Sequence, residues 1–193
     1  GWLPFRRMLR PMRLSHAYLV IVDISGYTAF IHERQTSLLH AEQIISELME
    51  TVIDRAEHPL TVNKLEGDAA LMYAEVEPGD LAAGRDVFAQ VKAFFPAFHA
   101  CSERQRQERA GCGCEACGGI AKLRLKAFVH VGELALKQVR QFEELAGESV
   151  IFVHRLLGLW FLGFGTGDIE VRFSTAGSGQ KVYFLKNVWR AGH

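Results

Sequence analysis

The sequence predicts an α+β protein, an antiparallel sheet with its helices on one face. Three observations carry this prediction. Apolar runs ending in acidic glycine turns, YLVIVD and the arms around EGD, read as buried strands. Two long segments repeat apolar residues at three- and four-residue steps, the period of a helix. The elements also alternate as strand, helix, hairpin, helix, hairpin, helix, hairpin, which an antiparallel sheet accommodates most simply.

The first strand, Tyr18–Asp23, is continuously apolar until its aspartate, and Gly26 lets the backbone turn into a helix. Across 29–57 the residues Leu38, Leu39, Ile44, Ile45, Leu48, Met49, Val52 and Ile53 trace one helical face, and Pro59 ends it. Leu60–Leu65 and Ala69–Ala74 form a hairpin around Gly67. Pro78 and Gly79 precede a second helix over 81–107, with Leu81, Val87, Val91, Phe94, Phe95 and Phe98 inward and a kink expected at Pro96. A Gly/Cys-rich loop spans Gly111–Gly119. Leu123–Val131 alternates as a half-buried strand, and Gly132–Val139 is expected to turn back as its partner. Phe142–Leu157 reads as a loop feeding a helix, and Ile169–Ser174 with Lys181–Leu185 as a closing hairpin. No internal repeat is evident.

The 193 residues fit a basic arm at 1–16 and a single domain at 17–193. With 49% hydrophobic residues, the composition excludes a disordered chain. Twenty-two basic residues balance twenty-two acidic ones, which removes any general argument for nucleic acid as partner. The arm carries Arg6, Arg7, Arg10 and Arg13 among apolar residues. It reads either as a weak membrane or partner contact or as a loosely held leader broken by Pro4 and Pro11. No apolar run reaches transmembrane length and no signal peptide is recognisable, so the expectation is a soluble, cytoplasmic domain.

The chemistry concentrates in DISGYT and NKLEGD. Asp23 and Asp68, each delivered by a strand end beside a glycine turn, would together suit a divalent cation carrying a polyphosphate. Either residue alone would read as structural, Asp23 as a helix cap and Asp68 as a hairpin tip.

These motifs resemble those of class III adenylate and guanylate cyclase catalytic domains. DISGYT is similar to the family's metal-binding turn, KLEGDAALMYA to its Lys-x-x-Gly-Asp hairpin, FVHVGEL to its His-x-Gly strand, and FEELAGESVIFVHR to its Gly-x-x-Val-Asn-x-x-x-Arg loop and helix. The resemblance implies a ferredoxin-like core and a head-to-tail homodimer with shared sites. Asp23, Asp68 and the Ile24 carbonyl would hold two magnesium or manganese ions on a nucleoside triphosphate. Ser25, Gly26, Tyr27 and Thr28 would face the phosphates. The partner protomer would supply Lys64 and Glu144 to read the purine, a pair suited to ATP, and Arg155 to stabilise the transition state. The implied reaction closes a 3′,5′-cyclic nucleotide and releases pyrophosphate; the alternative is a weakly active or inactive nucleotide-binding module on the same fold.

The chain departs from the family in two places. Ile151 occupies the position of the ribose-orienting asparagine, where an apolar side chain cannot supply the hydrogen bond. After Leu157 the sequence reaches its final hairpin early, leaving Lys181 as the nearest candidate for a phosphate-binding lysine. Several residues keep a structural alternative: Lys64 as a solvated strand residue, Arg155 as a salt-bridge partner, His130 as a core or interface histidine. Cys112, Cys114 and Cys117, with Cys101 or His99 as a fourth ligand, could close on a structural zinc, or could remain reduced thiols in a flexible loop.

Overall fold

The structure, a computed structural model, describes residues 12–27, 35–159, 172–175 and 181–186. Strand β1 (Met12–Ser25) is followed by helix α1 (Gln35–Ile53), the hairpin β2 (Thr61–Glu66) and β3 (Ala69–Glu75), and helix α2 (Leu81–Glu108). A short helix α3 (Glu115–Gly119) and a 3₁₀ turn (Ile120–Lys122) lead into β4 (Arg124–Val139). Then come β5 (Phe142–Ala146), α4 (Glu148–Leu159), β6 (Arg172–Thr175) and β7 (Lys181–Lys186).

The strands form one sheet in the order β2-β3-β1-β4-β7-β6, with β5 paired to β4, and every pairing is antiparallel. The portion β4-β1-β3-β2, with helices following β1 and β3, is a ferredoxin-like core of two split βαβ units. The α+β antiparallel architecture expected from the sequence is therefore the one observed.

Strict alternation along β1 divides two cores. Val20, Val22 and Ile24 point toward α1 and α2 and meet Ile44, Leu48, Phe94 and Phe95. Ala17, Leu19 and Ile21 point the other way and meet Leu71, Phe128, Val150 and Val153. Helix α4 thus packs on the face opposite the two long helices, where the sequence had suggested a single helical face. Both faces of the central strand are dry, which explains why YLVIV is apolar without alternation. Each buried phenylalanine or leucine in these layers contributes about 1.5–3 kcal/mol of transfer free energy.

Helix α2 starts at Asp80, whose carboxylate accepts from the Ala82 and Ala83 amides at 2.9 and 3.0 Å. Pro96 lies within the helix on an exposed position.

Two sequence expectations need correction. Residues 12–16, read as part of an arm, are the first residues of β1, and Arg13 forms an ion pair with Glu75; residues 1–11 lie outside the described residues. The return expected at Gly132–Val139 does not occur, because β4 runs unbroken and the turn comes at Arg140, with φ 57°. Gly132 serves a different purpose: a Cβ there would collide with the Ser149 hydroxyl, so the glycine lets the start of α4 settle onto the strand.

Candidate functional site

Asp23 and Asp68 meet at one end of the sheet. Antiparallel register sets Asp23 opposite Ala69, the residue after Asp68, and the Ile24 amide donates to the Asp68 carbonyl at 2.9 Å. Gly26 (φ 96°), three residues after Asp23, and Gly67 (φ 67°), directly before Asp68, adopt the left-handed conformations that turn the chain at this sheet edge. Burial pushes the Asp68 carboxyl above its ordinary value, and the nearby negative charge of Asp23 pushes it the same way.

The sequence reading missed a third member of this group. Lys126 of β4 is the register partner of Asp23, and its ammonium lies 2.7 Å from Asp23 Oδ2. Its side chain is only 10% exposed, so this is a largely desolvated pair and not a surface one. The signal was available in LRLKAFVHV, where a lysine interrupts a strand otherwise buried on that face. Acidic and basic groups together make the site a cradle with one internal cation.

Around it, Ser25 and Gly26 form the turn, and Tyr27 directs its hydroxyl to Glu42 Oε1 of α1 at 2.9 Å. Burial, followed by that carboxylate, pushes the Tyr27 phenol up to about 12. Thr28 lies outside the described residues.

Lys64 belongs to a second group. A bulge at Asn63 breaks the β2–β3 register and aims the asparagine at β5, where its Nδ2 donates to the Glu143 carbonyl at 3.0 Å. This contact ties β2, which carries Lys64, to β5, which carries Glu144, although the two strands are not paired in the sheet. Lys64 also pairs with Glu66 at 2.9 Å, and Glu66 lies 3.1 Å from His154 Nε2 on α4. Burial pushes the Glu66 carboxyl up, but Lys64 and His154 more than offset this and hold it below its ordinary value. Arg155 is exposed on the same helix, and Ile151 is 53% exposed one turn earlier. His130 is fully buried, its ring stacked edge-on to Phe152 at 5.0 Å. The side chain of Lys181 lies outside the described residues.

The cysteines assemble elsewhere, at the α1–α3 contact. His40, Cys112, Cys114 and Cys117 place one ligand atom each within 4.8 Å of one another. Cys101 is not part of this group: its thiol donates to the Glu47 carbonyl at 3.8 Å and accepts from Arg104 at 3.3 Å. The Cys117 amide, pointing at Cys114 Sγ from 3.4 Å, holds the Cys114 thiol down to about 6, whereas burial raises that of Cys117. His40 sits among helical apolar residues, so nothing local in the sequence marked it. All four cysteines are unbridged.

Comparisons with known proteins agree with this architecture. A family model described as "Protein of unknown function (DUF2652)" matches residues 45–159. An uncharacterized protein of Mycobacterium tuberculosis, Rv2561/Rv2562, is 34% identical over 113 residues, which cover 58% of this chain and 50% of that protein. The chain thus spans half the length of this relative. Among solved structures, the adenylyl cyclase CyaB from P. aeruginosa superposes with a TM-score of 0.63 at 14% identity, covering 95% of this chain and all of that one (100%). A class III adenylyl cyclase-like ATP-binding protein from Pseudomonas aeruginosa gives 0.53 at 20% identity over 75% of this chain and 31% of that one. The fold is that of a divergent class III nucleotide cyclase domain. Among the described residues, no helix is long and apolar enough to cross a membrane.

Proposed function

The chain belongs to the DUF2652 family of proteins of unknown function, and from that premise we propose that it is a metal-dependent purine nucleotidyl cyclase, with ATP as preferred substrate, acting as a head-to-tail homodimer. The observation that carries this reading is the convergence of Asp23 and Asp68 at one sheet edge, each beside a left-handed glycine. Hard oxygen donors from two fixed strand ends fit magnesium or manganese, and the raised Asp68 carboxyl is a group that gains from added positive charge. Asp23, Asp68 and the Ile24 carbonyl would hold the ions. When bound, such ions lower the pKa of the ribose 3′-hydroxyl and neutralise charge on the leaving pyrophosphate.

The chain's own groups have distinct tasks in this proposal. The turn at Ser25–Tyr27 would offer backbone amides to the phosphates, as would Thr28, which lies outside the described residues. Lys64 and Glu144, on strands tied together through Asn63, present a donor and an acceptor to the purine bound at the partner's acidic edge. Arg155, exposed on α4, would reach across the proposed interface toward the α-phosphate.

A second reading, nucleotide binding without turnover, is favoured by Ile151. It stands exposed at the place of the ribose-orienting asparagine and offers no hydrogen bond there. The class III adenylyl cyclase-like ATP-binding protein from Pseudomonas aeruginosa, which shares this fold, supports that reading. Incubation with Mn²⁺ and each of ATP and GTP, followed by mass-spectrometric detection of cyclic product, tests the first reading. Absence of product together with calorimetric binding of a non-cyclisable ATP analogue would establish the second. Absence of both removes the nucleotide from the account.

A further inference from the structure

We propose that His40, Cys112, Cys114 and Cys117 form a structural zinc site that fastens α1 to the segment joining α2 to β4. The site stands apart from the acidic edge and does not depend on the nucleotide reading.

The geometry around one nitrogen carries the inference. His40 Nδ1 lies 3.4 Å from Cys114 Sγ, 3.6 Å from Cys112 Sγ and 3.6 Å from Cys117 Sγ. An imidazole nitrogen has either one hydrogen or one lone pair, so it cannot hydrogen-bond three sulfurs at once. Three nearly equal separations are instead what a shared central ion imposes. With Zn–S near 2.3 Å and Zn–N near 2.0–2.1 Å, a tetrahedron has N···S edges of about 3.5 Å. The observed separations fall on that value.

The backbone is organised for the same purpose. Cys112 begins the wrap with its amide on the Arg109 carbonyl at 2.9 Å. Cys114 then caps α3, and the Gly118 amide closes on the Cys114 carbonyl at 3.1 Å. The Cys117 amide points at Cys114 Sγ from 3.4 Å, the type of outer contact that orients a ligating thiolate. Three sulfurs and one imidazole select zinc over magnesium, calcium or manganese. Four protein ligands also complete the tetrahedron and leave no position for a substrate, so the role is structural.

Position gives the site its consequence. Ile120 and Leu123, directly after the last ligand, are buried in the α1–α2 core. A Cβ built on Gly26 would meet Leu123 Cδ2 and the Lys122 carbonyl, each at 3.7 Å. The tethered segment therefore backs the turn that follows Asp23.

The test uses the full chain, produced in zinc-containing medium and purified without chelators. Elemental analysis is expected to find one zinc per chain. Replacement by Co²⁺ is expected to give intense thiolate-to-cobalt charge-transfer absorption and tetrahedral ligand-field bands. Cys114→Ser and His40→Ala are expected to lose the metal, while Cys101→Ala keeps it. Because the losing variants could fold poorly, His40→Cys provides the complement: it should retain zinc and show stronger charge-transfer absorption with Co²⁺. The inference is overturned if the folded wild type carries no zinc and gives no thiolate absorption with Co²⁺, or if His40→Cys leaves the Co²⁺ spectrum unchanged. It is equally overturned if the purified protein holds a disulfide among the three thiols and, once reduced, takes up no metal.

Discussion

The acidic edge and the thiol knot are both clusters of ionisable side chains, yet they are built on opposite logic. At the acidic edge, two carboxylates share the space with Lys126, whose ammonium already answers part of their charge. At the knot, three sulfurs and a ring nitrogen converge on one point with no side-chain cation among them. A site that exchanges its ligand must tolerate the interval between ligands, and an internal lysine provides for that. A permanent ion needs no such substitute. If both proposals hold, the contrast separates a place for traffic from a place for fastening.

Removing zinc from the knot should produce the largest effect. An ion present at a thousandfold over its dissociation constant contributes about 4 kcal/mol to the folded state. Urea unfolding with and without a strong chelator measures this, and a loss under about 1 kcal/mol would make the knot incidental to the fold.

Lys126→Met comes next. Taking one partner from a desolvated ion pair should cost about 3 kcal/mol, because Asp23 and Asp68 are then left facing each other. Millimolar Mn²⁺ should restore part of that loss in the variant and change the wild type less. Failure of Mn²⁺ to distinguish the two proteins would break the comparison.

Asp68→Asn sharpens it further. Binding of a manganese–ATP analogue should be lost in calorimetry, while stability at pH 7 changes by less than about 1 kcal/mol, in the stabilising direction. The sign follows from the raised folded pKa of Asp68: the ionised form is penalised in the folded protein, so the wild type loses stability as pH rises through that value. At pH below the ordinary carboxylate range the two proteins should converge. Thermal melts across pH 3–8 would show a constant gap if this assignment is wrong.

The smallest effect belongs to a reference pair distant from both regions. Hydrogen bonding from Arg13, and then Ser15, outweighs the effect of burial and holds the Glu75 carboxyl down to about 2, from an ordinary 4.5. Its contribution is present above the ordinary value and is lost as pH falls toward about 2. Because the pair is substantially exposed, Glu75→Gln should cost under about 1 kcal/mol at neutral pH and nothing in strong acid. A larger cost would mean that surface pairs in this protein cannot calibrate the buried one.

Much of the architecture was legible in the sequence because its signals are local. Apolar runs, helical periodicity and glycine turns marked the second long helix and the β2–β3 hairpin to within one residue of their observed limits, and marked β1 and the first long helix as elements, although β1 begins six residues before the apolar run read from the sequence. The acids at 23 and 68 were legible for the same reason, since a strand end plus a glycine is a short-range pattern. What escaped was created by packing. Gly132 looked like a turn because sequence does not reveal that Ser149 will need its missing side chain. Lys126 was read as one position in an alternating strand, although register sets it against Asp23. His40 is 74 residues from Cys114, and only the docking of α1 beside α3 makes it a better fourth ligand than Cys101 or His99. The placement of α4 on the second sheet face, against Leu19, Ile21 and Phe128, is likewise a product of packing.

The lysine beside Asp23 bears on the order of arrival. A solitary divalent ion approaching that edge must compete with an ammonium already seated against one of the two oxygen donors, and so gains little by staying. An ion escorted by a polyphosphate brings anionic oxygens that can draw the ammonium toward themselves as the ion takes its place. Under the proposed function, the edge would thereby be biased to ignore ambient magnesium and to respond to the metal–nucleotide complex as a single visitor.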